Sequence, residues 1–331
     1  MPRVPVMRRT EWAEDSDVSS AIADPSWRTQ SAARSLDVAF ELPPELDAAC
    51  YQAIHSDLHV LAPEQLAAHY RCHGEREGRR SNRLESREAF AGLVPAAAAA
   101  LEIGPFFKPL LRGPRVRYFD VGARADLERR ARSLGFSTEH IPEIDFVSTD
   151  GDLGIVGDRF DAVLSSHAIE HQPDLVGHLR AVERLLRPGG CYFVLAPDKA
   201  YCFDHFIPES AIAEVVEAHL EGRRRHGLRK VIAYRAQTTH NDPARHWRGD
   251  HGSIQGRLKD GLARAMRDLE AANGGYLDVH SWYFRPASFR ALIDGLRELE
   301  LITLELLRLY PTRRGCNEFW AVLRRPLGCR E

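Results

Sequence analysis

The chain has little that would mark a secreted, membrane-bound or nucleic-acid-binding protein. Its six cysteines (Cys50, Cys72, Cys191, Cys202, Cys316 and Cys329) are scattered, and none forms a Cys-x-x-Cys pair. That spacing excludes a zinc ribbon and gives no disulfide framework, so reduced thiols in a cytoplasmic protein are expected. The first residues, Met1-Pro-Arg-Val-Pro-Val-Met-Arg-Arg, contain no apolar core of signal-peptide length. No run approaches the roughly 18 apolar residues of a membrane span. The formal net charge is only −2, so no general basic field points to nucleic acid. The short run Arg223-Arg-Arg225 reads as a solvated helix face. There is no internal repeat and no His-Glu-x-x-His, and so no metal ligands are expected from motif spacing.

The 331 residues are 44% hydrophobic and 28% charged. This is an ordinary globular balance with ample core material, enough for one large domain and a small one. Richness in Ala and Arg fits a GC-rich bacterial genome. Residues 1–40 are polar and aperiodic and read as a loosely ordered arm that Trp12, Trp27 and Phe40 could pin to a neighbouring surface. Residues 41–90 read as a small helical module. Pro44-Glu-Leu-Asp and Pro63-Glu-Gln-Leu each place proline and acid at a helix start, and Gly74 can end the second helix. Tyr51, Ser56-Asp-Leu58, His69-Tyr70 and Cys72-His-Gly-Glu-Arg-Glu-Gly-Arg79 resemble a module that accompanies bacterial glycosyltransferases and sugar-modifying enzymes. The resemblance implies packing roles for these residues, His69 and His73 included. It also allows a partner-protein or homodimer contact.

Residues 91–331 read as the main domain. Ala96-Ala-Ala-Ala-Ala-Leu-Glu-Ile-Gly-Pro105 is an apolar run that ends in an acid, a glycine and a proline, as a buried strand stopping at a tight turn would. Phe106-Phe-Lys-Pro-Leu-Leu111 could open a short helix after it. Strand, glycine turn and helix is how an open α/β sheet offers N–H groups to a nucleotide-like ligand. Only Gly104 stands where a dinucleotide fingerprint has three glycines. A second strand, 115–121, carries Asp120 at its tip, where a carboxylate can accept from a ribose diol; a helix N-cap is the alternative role. A helix at 124–138 and a third strand at 144–153 follow. The strand's end carries Asp150 and Asp152, either of which could face an adenine amine or merely shape a turn. Then Phe160-Asp-Ala-Val-Leu-Ser-Ser-His-Ala-Ile-Glu-His171, an amphipathic helix at 175–187, Leu185-Leu-Arg-Pro-Gly-Gly190 and Cys191-Tyr-Phe-Val-Leu-Ala-Pro197 spell the crossover of a parallel sheet. The chain closes with a helix at 288–298 and two apolar strands, 301–307 and 318–323.

The run from Phe160 to His171, followed by Leu-Leu-Arg-Pro-Gly-Gly, resembles the class I S-adenosylmethionine-dependent methyltransferases, in the small-molecule branch whose fourth strand ends in a Leu-Glu-His-like triplet. The likeness covers about residues 95–200 and 300–325. It implies a Rossmann-like α/β fold: a seven-stranded, mostly parallel sheet with a C-terminal antiparallel hairpin. It implies S-adenosyl-L-methionine as cofactor and a small-molecule acceptor. Carried over, Glu102 and Gly104 would line the methionine and ribose part, and Asp120 would bind the ribose. Asp150 or Asp152 with Leu153 would flank the adenine, and Ser166 and His167 would sit near the sulfonium. The chain departs from the family's Gly-x-Gly-x-Gly, having Gly104-Pro-Phe-Phe-Lys-Pro109 instead.

Between the fifth strand and the last two lies a long insertion, about 198–284, dense in His, Asp and aromatic residues. Three readings of it stand. One is a substrate pocket with a general base, for which His205, His246 and Asp198 are the candidates. Another is a metal site using His205, His240, His246 and His251. The third is a polar network that fixes loops. The expected activity is methyl transfer to a small polar acceptor such as a sugar or natural-product intermediate. The alternatives are elimination or cyclisation on the same scaffold, and a non-catalytic subunit of a partner enzyme.

Overall fold

In the computed structural model, residues 38–328 are described. Most of the polar arm, with Trp12 and Trp27, lies outside them. Three short helices come first: α1 (Ala48–Ile54), α2 (Pro63–His69) and α3 (Arg87–Ala91). Asp47 caps α1 by accepting from the Cys50 N–H, and Ser86 caps α3 through the Ala89 N–H. Tyr51, Leu58, Leu66 and Tyr70 form a small core of their own. The Tyr51 hydroxyl meets His69 Nδ1 at 3.0 Å, so His69 is a packing residue, while His73 is exposed.

The main sheet runs β3–β2–β1–β4–β5–β7–β6. Its strands are β1 (Ala100–Ile103), β2 (Val116–Asp120), β3 (Phe146–Val147), β4 (Phe160–Ser166), β5 (Leu186–Pro197), β6 (Glu305–Tyr310) and β7 (Glu318–Arg324). The first five pair in parallel, while β7 runs antiparallel to both β5 and β6. This is the Rossmann-like, seven-stranded sheet with its C-terminal hairpin. Helices α4 (Arg124–Ser133) and α5 (Leu175–Leu185) cross over between strands, and Asp174 caps α5 through the Gly177 N–H.

Side chains alternate across β5 because a strand repeats every two residues. Tyr192, Val194 and Ala196 join the core on one face, with α5 beneath them. Cys191, Phe193 and Leu195 join the core on the other, with Phe90 of α3. Both faces are covered, so these strands read as unbroken apolar runs.

Several boundaries differ from the sequence reading. The alanine run turns before it enters the sheet, and β1 begins only at Ala100. No helix follows Gly104; residues 106–108 form a turn. The third strand shrinks to two residues, and the Arg-Pro-Gly-Gly segment lies inside β5 rather than ahead of it. β6 starts four residues later than expected, at Glu305.

The insertion carries four helices: α6 (Ile212–Leu220), α7 (Leu228–Gln237), α8 (Pro243–Trp247) and α9 (Leu258–Ala272). Its two ends meet. Asp198 and Phe284 form an isolated parallel bridge at the tip of β5, and the Lys199 N–H donates to the Phe284 carbonyl at 2.8 Å. Helix α10 (Pro286–Glu298) then returns the chain to the sheet. Among the described residues, no helix is long and apolar enough to cross a membrane.

Phe193 is fully buried and packs against Phe40 and Phe90 at centroid distances of 5.6 and 5.7 Å, so it joins the N-terminal segment to the sheet. Truncation to Ala is expected to cost about 3–5 kcal/mol, measured by urea denaturation. A loss under about 1 kcal/mol would mean that the site collapses around the gap.

Candidate active site

In this topology the chain winds outward from β1 in both directions, through β2 on one side and β4 on the other. The C-terminal ends of β1 and β4 therefore frame the crevice where open α/β sheets take ligands. A cleft of about 410 Å³ lies there. Its wall includes Glu102, Gly104, Asp120, Leu153, Ser166 and His167.

The turn after β1 is held by a carboxylate rather than a helix. Buried Glu102 accepts from the Leu110 N–H at 2.9 Å and the Leu111 N–H at 2.8 Å. These bonds close the loop from Gly104 to Leu111 beside the cleft. Gly104 has φ +69°, and a Cβ there would meet nothing nearer than Ala168 Cβ at 3.9 Å. Phe106 also sits in the left-handed region, at φ +44°. The backbone thus adopts a glycine-like conformation at the position where the expected motif has its second glycine, and Phe bears the strain. The Phe107 ring stacks on Phe136 at 4.3 Å, and Phe106 packs edge-on against Phe107.

Asp120 is buried at the tip of β2 and accepts from the Val121 N–H at 2.7 Å. Burial raises its pKa. Asp150 and Asp152 are exposed and do not line the cleft: Asp150 accepts from the Ser148 hydroxyl, and Asp152 from the Gly154 N–H. Their neighbours Gly151 and Leu153 do line it. Ser166 Oγ accepts from Arg87, a residue of α3 that the sequence did not single out.

His167 stands just past β4 with φ +51°, which turns its ring back toward the sheet. Its Nε2 lies 2.8 Å from a Glu318 carboxylate oxygen, and Arg87 reaches the same oxygen at 2.9 Å. Burial lowers the His167 pKa, but Glu318 and Glu170 outweigh it, and the net direction is up.

Beyond His167 the chain makes a short 3-10 turn through Ile169, Glu170 and His171. The far end of the insertion lies along it. The Ser281 and Trp282 N–H groups both donate to the Glu170 carbonyl, and the Trp282 indole donates to the Gln172 carbonyl. This pairing brings His280 beside Glu170. His171 Nδ1 is 2.9 Å from Asp278, and His280 Nδ1 is 2.6 Å from Asp204. Glu170, Asp204, Asp278, His280 and Glu318 were not among the expected site residues. The stretches that hold most of them were visible as a Glu-His pair and a His- and Asp-rich insertion, but nothing in their spacing pairs them.

The expected bases lie elsewhere: none of His205, His246 and Asp198 lines the cleft. Asp198 is buried and accepts from the Ala200 N–H and the Thr312 hydroxyl. His205 donates from Nδ1 to the Ala200 carbonyl, and its ring stacks face to face on His251 at 3.7 Å. His246 bonds to His251 and to the His240 carbonyl. A larger cavity of about 800 Å³, lined by Leu228, Ile232, Leu262 and Tyr283 among others, shares no residue with the cleft.

Residues 104–194, which hold the turn, Asp120 and the Glu170 segment, match the family model described as Methyltransferase domain. Those residues carry a methyltransferase domain of the S-adenosylmethionine-dependent type. Its cofactor is S-adenosyl-L-methionine, and the cleft suits that group: a turn with open space at Gly104, a buried carboxylate at the tip of β2 and a volume in the range of small-molecule sites. No curated protein matches the chain significantly. Among solved structures, the N-methyltransferase NodS from Bradyrhizobium japonicum WM9 is 12% identical, with 72% of this chain and 93% of that one covered and a TM-score of 0.33. The mitomycin 7-O-methyltransferase MmcR is 16% identical over 91% and 66%, with a TM-score of 0.35. The CcbJ methyltransferase from Streptomyces caelestis is 12% identical over 76% and 94%, with a TM-score of 0.36. Superpositions this loose carry no argument about acceptor or mechanism.

The methyltransferase's Glu102 generates a pH prediction. Burial pushes its carboxyl up to about 7 from an ordinary 4.5, despite the N–H groups it accepts from. Between those values the unfolded chain has released a proton that the folded chain retains. Stability therefore falls as pH rises through that window. Glu102→Gln lacks this penalty. The stability of wild type relative to the variant is expected to drop by on the order of 3 kcal/mol between pH 4.5 and 8, measured by denaturant titration of the cofactor-free protein. A constant difference would mean that Glu102 ionises normally.

Proposed function

We propose that this methyltransferase modifies a small polar acceptor, a sugar or natural-product intermediate, held at the Glu170 end of the cofactor cleft. One observation carries the reading: three imidazoles, each beside a carboxylate, surround buried Glu170, and two of them, His167 and His171, line the cleft. Hydroxyl and amine groups are what such an array recognises, since it offers both hydrogen-bond acceptors and protonatable nitrogens.

The cofactor, when bound, supplies a methyl group made electrophilic by its sulfonium. The remaining work falls to the chain. Asp120 accepts from the ribose hydroxyls, and the loop from Gly104, held in place by Glu102, fits the methionine end. Leu153 packs on the adenine, with Asp150 and Asp152 on the rim. Ser166 and His167 close the floor near the sulfonium. Arg87 fixes both of these, through Ser166 Oγ and Glu318. His167 and His171, which line the cleft, hold the acceptor's polar group in line with the methyl carbon and draw off its proton. Positioning supplies most of the acceleration in such a displacement.

Calorimetry with S-adenosylmethionine and S-adenosylhomocysteine tests the cofactor part. Wild type is expected to bind both, and Asp120→Ala to bind about 10–100-fold more weakly, the cost of hydrogen bonds to a charged group. Absence of binding by wild type would overturn the reading. Once a screen finds an acceptor, His171→Gln is expected to lower transfer by about 10²–10⁴, since His171 lines the cleft. Alanine at His205 or His246 should change it less than about tenfold, because neither lines the cleft. The reverse pattern would move the acceptor site into the insertion.

A further inference from the structure

The Glu170 carboxylate is 0% exposed, and neither of its oxygens has a hydrogen-bond partner among the described residues. A buried carboxylate left in that state is costly. What surrounds it makes the position more demanding still. His167 Nδ1 lies 3.6 Å from Glu170 Oε1, and His171 Nε2 and His280 Nε2 each lie 3.9 Å from the same oxygen.

Each of these rings has its other nitrogen against a different carboxylate. His167 Nε2 faces Glu318 at 2.8 Å, His171 Nδ1 faces Asp278 at 2.9 Å, and His280 Nδ1 faces Asp204 at 2.6 Å. A neutral imidazole has one N–H: Glu318 takes that of His167 and Asp204 that of His280, while His171 Nδ1 lies close to Asp278 without a hydrogen bond. The nitrogen turned toward Glu170 then presents a lone pair. Where the rings are neutral, the lone pairs turned toward Glu170 repel its oxygen unless a cation lies between them. A proton is a poor fit, because charge-assisted N–H···O bonds draw the atoms to about 2.7–2.9 Å. A metal ion fits better: two donors on one ion at about 2.0–2.2 Å lie about 3.4 Å apart at a tetrahedral angle, close to the spacings seen. The His171 and His280 rings stand edge to face at 88°, with centroids 4.6 Å apart, so their nitrogens converge without the rings stacking.

We propose that Glu170, His171 and His280 bind a divalent first-row transition metal ion. Two imidazoles and a carboxylate are a donor set that zinc and iron(II) accept, and carboxylates behind the ligating histidines are the usual support of such sites. The ligand oxygen and nitrogens of Glu170, His171 and His280 lie within 4.8 Å of one another. His171 also lines the cofactor cleft, so the proposed ion would lie at the edge of that cleft. Its use as the anchor of an acceptor oxygen rests on the methyltransferase reading above; the metal site itself does not.

A second histidine group, His205, His246 and His251, also has its ring nitrogens within 4.8 Å of one another. There the His205 and His251 rings lie stacked at 8°, and His246 and His251 bond to each other, so the group satisfies itself without an ion. The two groups make opposite predictions.

The test uses the full chain, stripped with a chelator and titrated with Zn²⁺ by calorimetry and with Co²⁺ by visible absorption, with Mg²⁺ as a hard-cation control. Wild type is expected to bind one Zn²⁺ or Co²⁺ and to ignore Mg²⁺. Glu170→Gln and His280→Gln should abolish the cobalt bands, and Asp204→Asn should weaken binding about 10–100-fold. His251→Ala should leave stoichiometry and spectrum unchanged. Circular dichroism and S-adenosylhomocysteine titration of each variant separate loss of the metal from loss of the fold. No stoichiometric binding by wild type, or binding that His251→Ala removes and His280→Gln does not, overturns the proposal. Cofactor binding without metal binding would sink this inference alone; metal binding without cofactor binding would sink the methyltransferase reading alone.

Discussion

The constraint on which the site depends is the closing of the insertion on itself at the tip of β5. Asp198 and Phe284 lie far apart in the chain and are bridged in the structure. Backbone hydrogen bonds from Ser281 and Trp282 to the Glu170 carbonyl continue the attachment along the segment that follows β4. Backbone pairing of this kind is directional and short, so it holds His280 beside Glu170. Without it, Glu170 and His171 would be a turn at the end of a strand, and His280 would be one histidine among many.

The two halves of the cleft are built differently. The cofactor half rests on the sheet: β1, β2 and β4 end at one level, and their last residues point into the same space. Its least regular part is the turn after β1. The expected glycines are missing, yet Gly104 and Phe106 both hold positive φ, and Glu102 replaces a helix N-terminus as the anchor of the loop. A loop of this kind places a buried carboxylate where backbone N–H groups and a cofactor compete for it, and burial acts against its charge. The acceptor half rests on electrostatics. Carboxylates from β7, from the start of the insertion and from its end each orient one imidazole toward Glu170. Low local dielectric strengthens such an array when every member is matched and penalises it when one is not.

The remaining histidines of the insertion illustrate the difference between density and function. His205, His240, His246 and His251 are close in space, as their density suggested, but they bond to one another and to backbone carbonyls. Rings that stack satisfy one another, whereas rings backed by carboxylates present an unsatisfied nitrogen on one side.

Read as a linear chain, the protein already discloses its sheet. The apolar runs at 160–166 and 191–197, the amphipathic helix between them and the closing pair of strands identify a parallel sheet with an antiparallel edge, because burial on one or both faces writes a period directly into the residues. Gly104 and Asp120 could be named as cleft residues for a related reason, since in this topology ligands meet the ends of strands and strand ends are local features; Leu153, Ser166 and His167 were named through the family resemblance. What the chain could not disclose was where the insertion folds back. Asp198, His205 and His246 looked as suitable as any other polar residues in it, and nothing local set Asp278 and His280 apart. Only tertiary structure sets His280 against Glu170, Asp204 behind His280 and Asp278 behind His171. These pairings join residues separated by much of the domain, and no periodicity encodes a contact that depends on where a loop returns. Local spacing decides secondary structure and strand tips; the direction in which an imidazole presents its lone pair is decided by the neighbour that takes its proton.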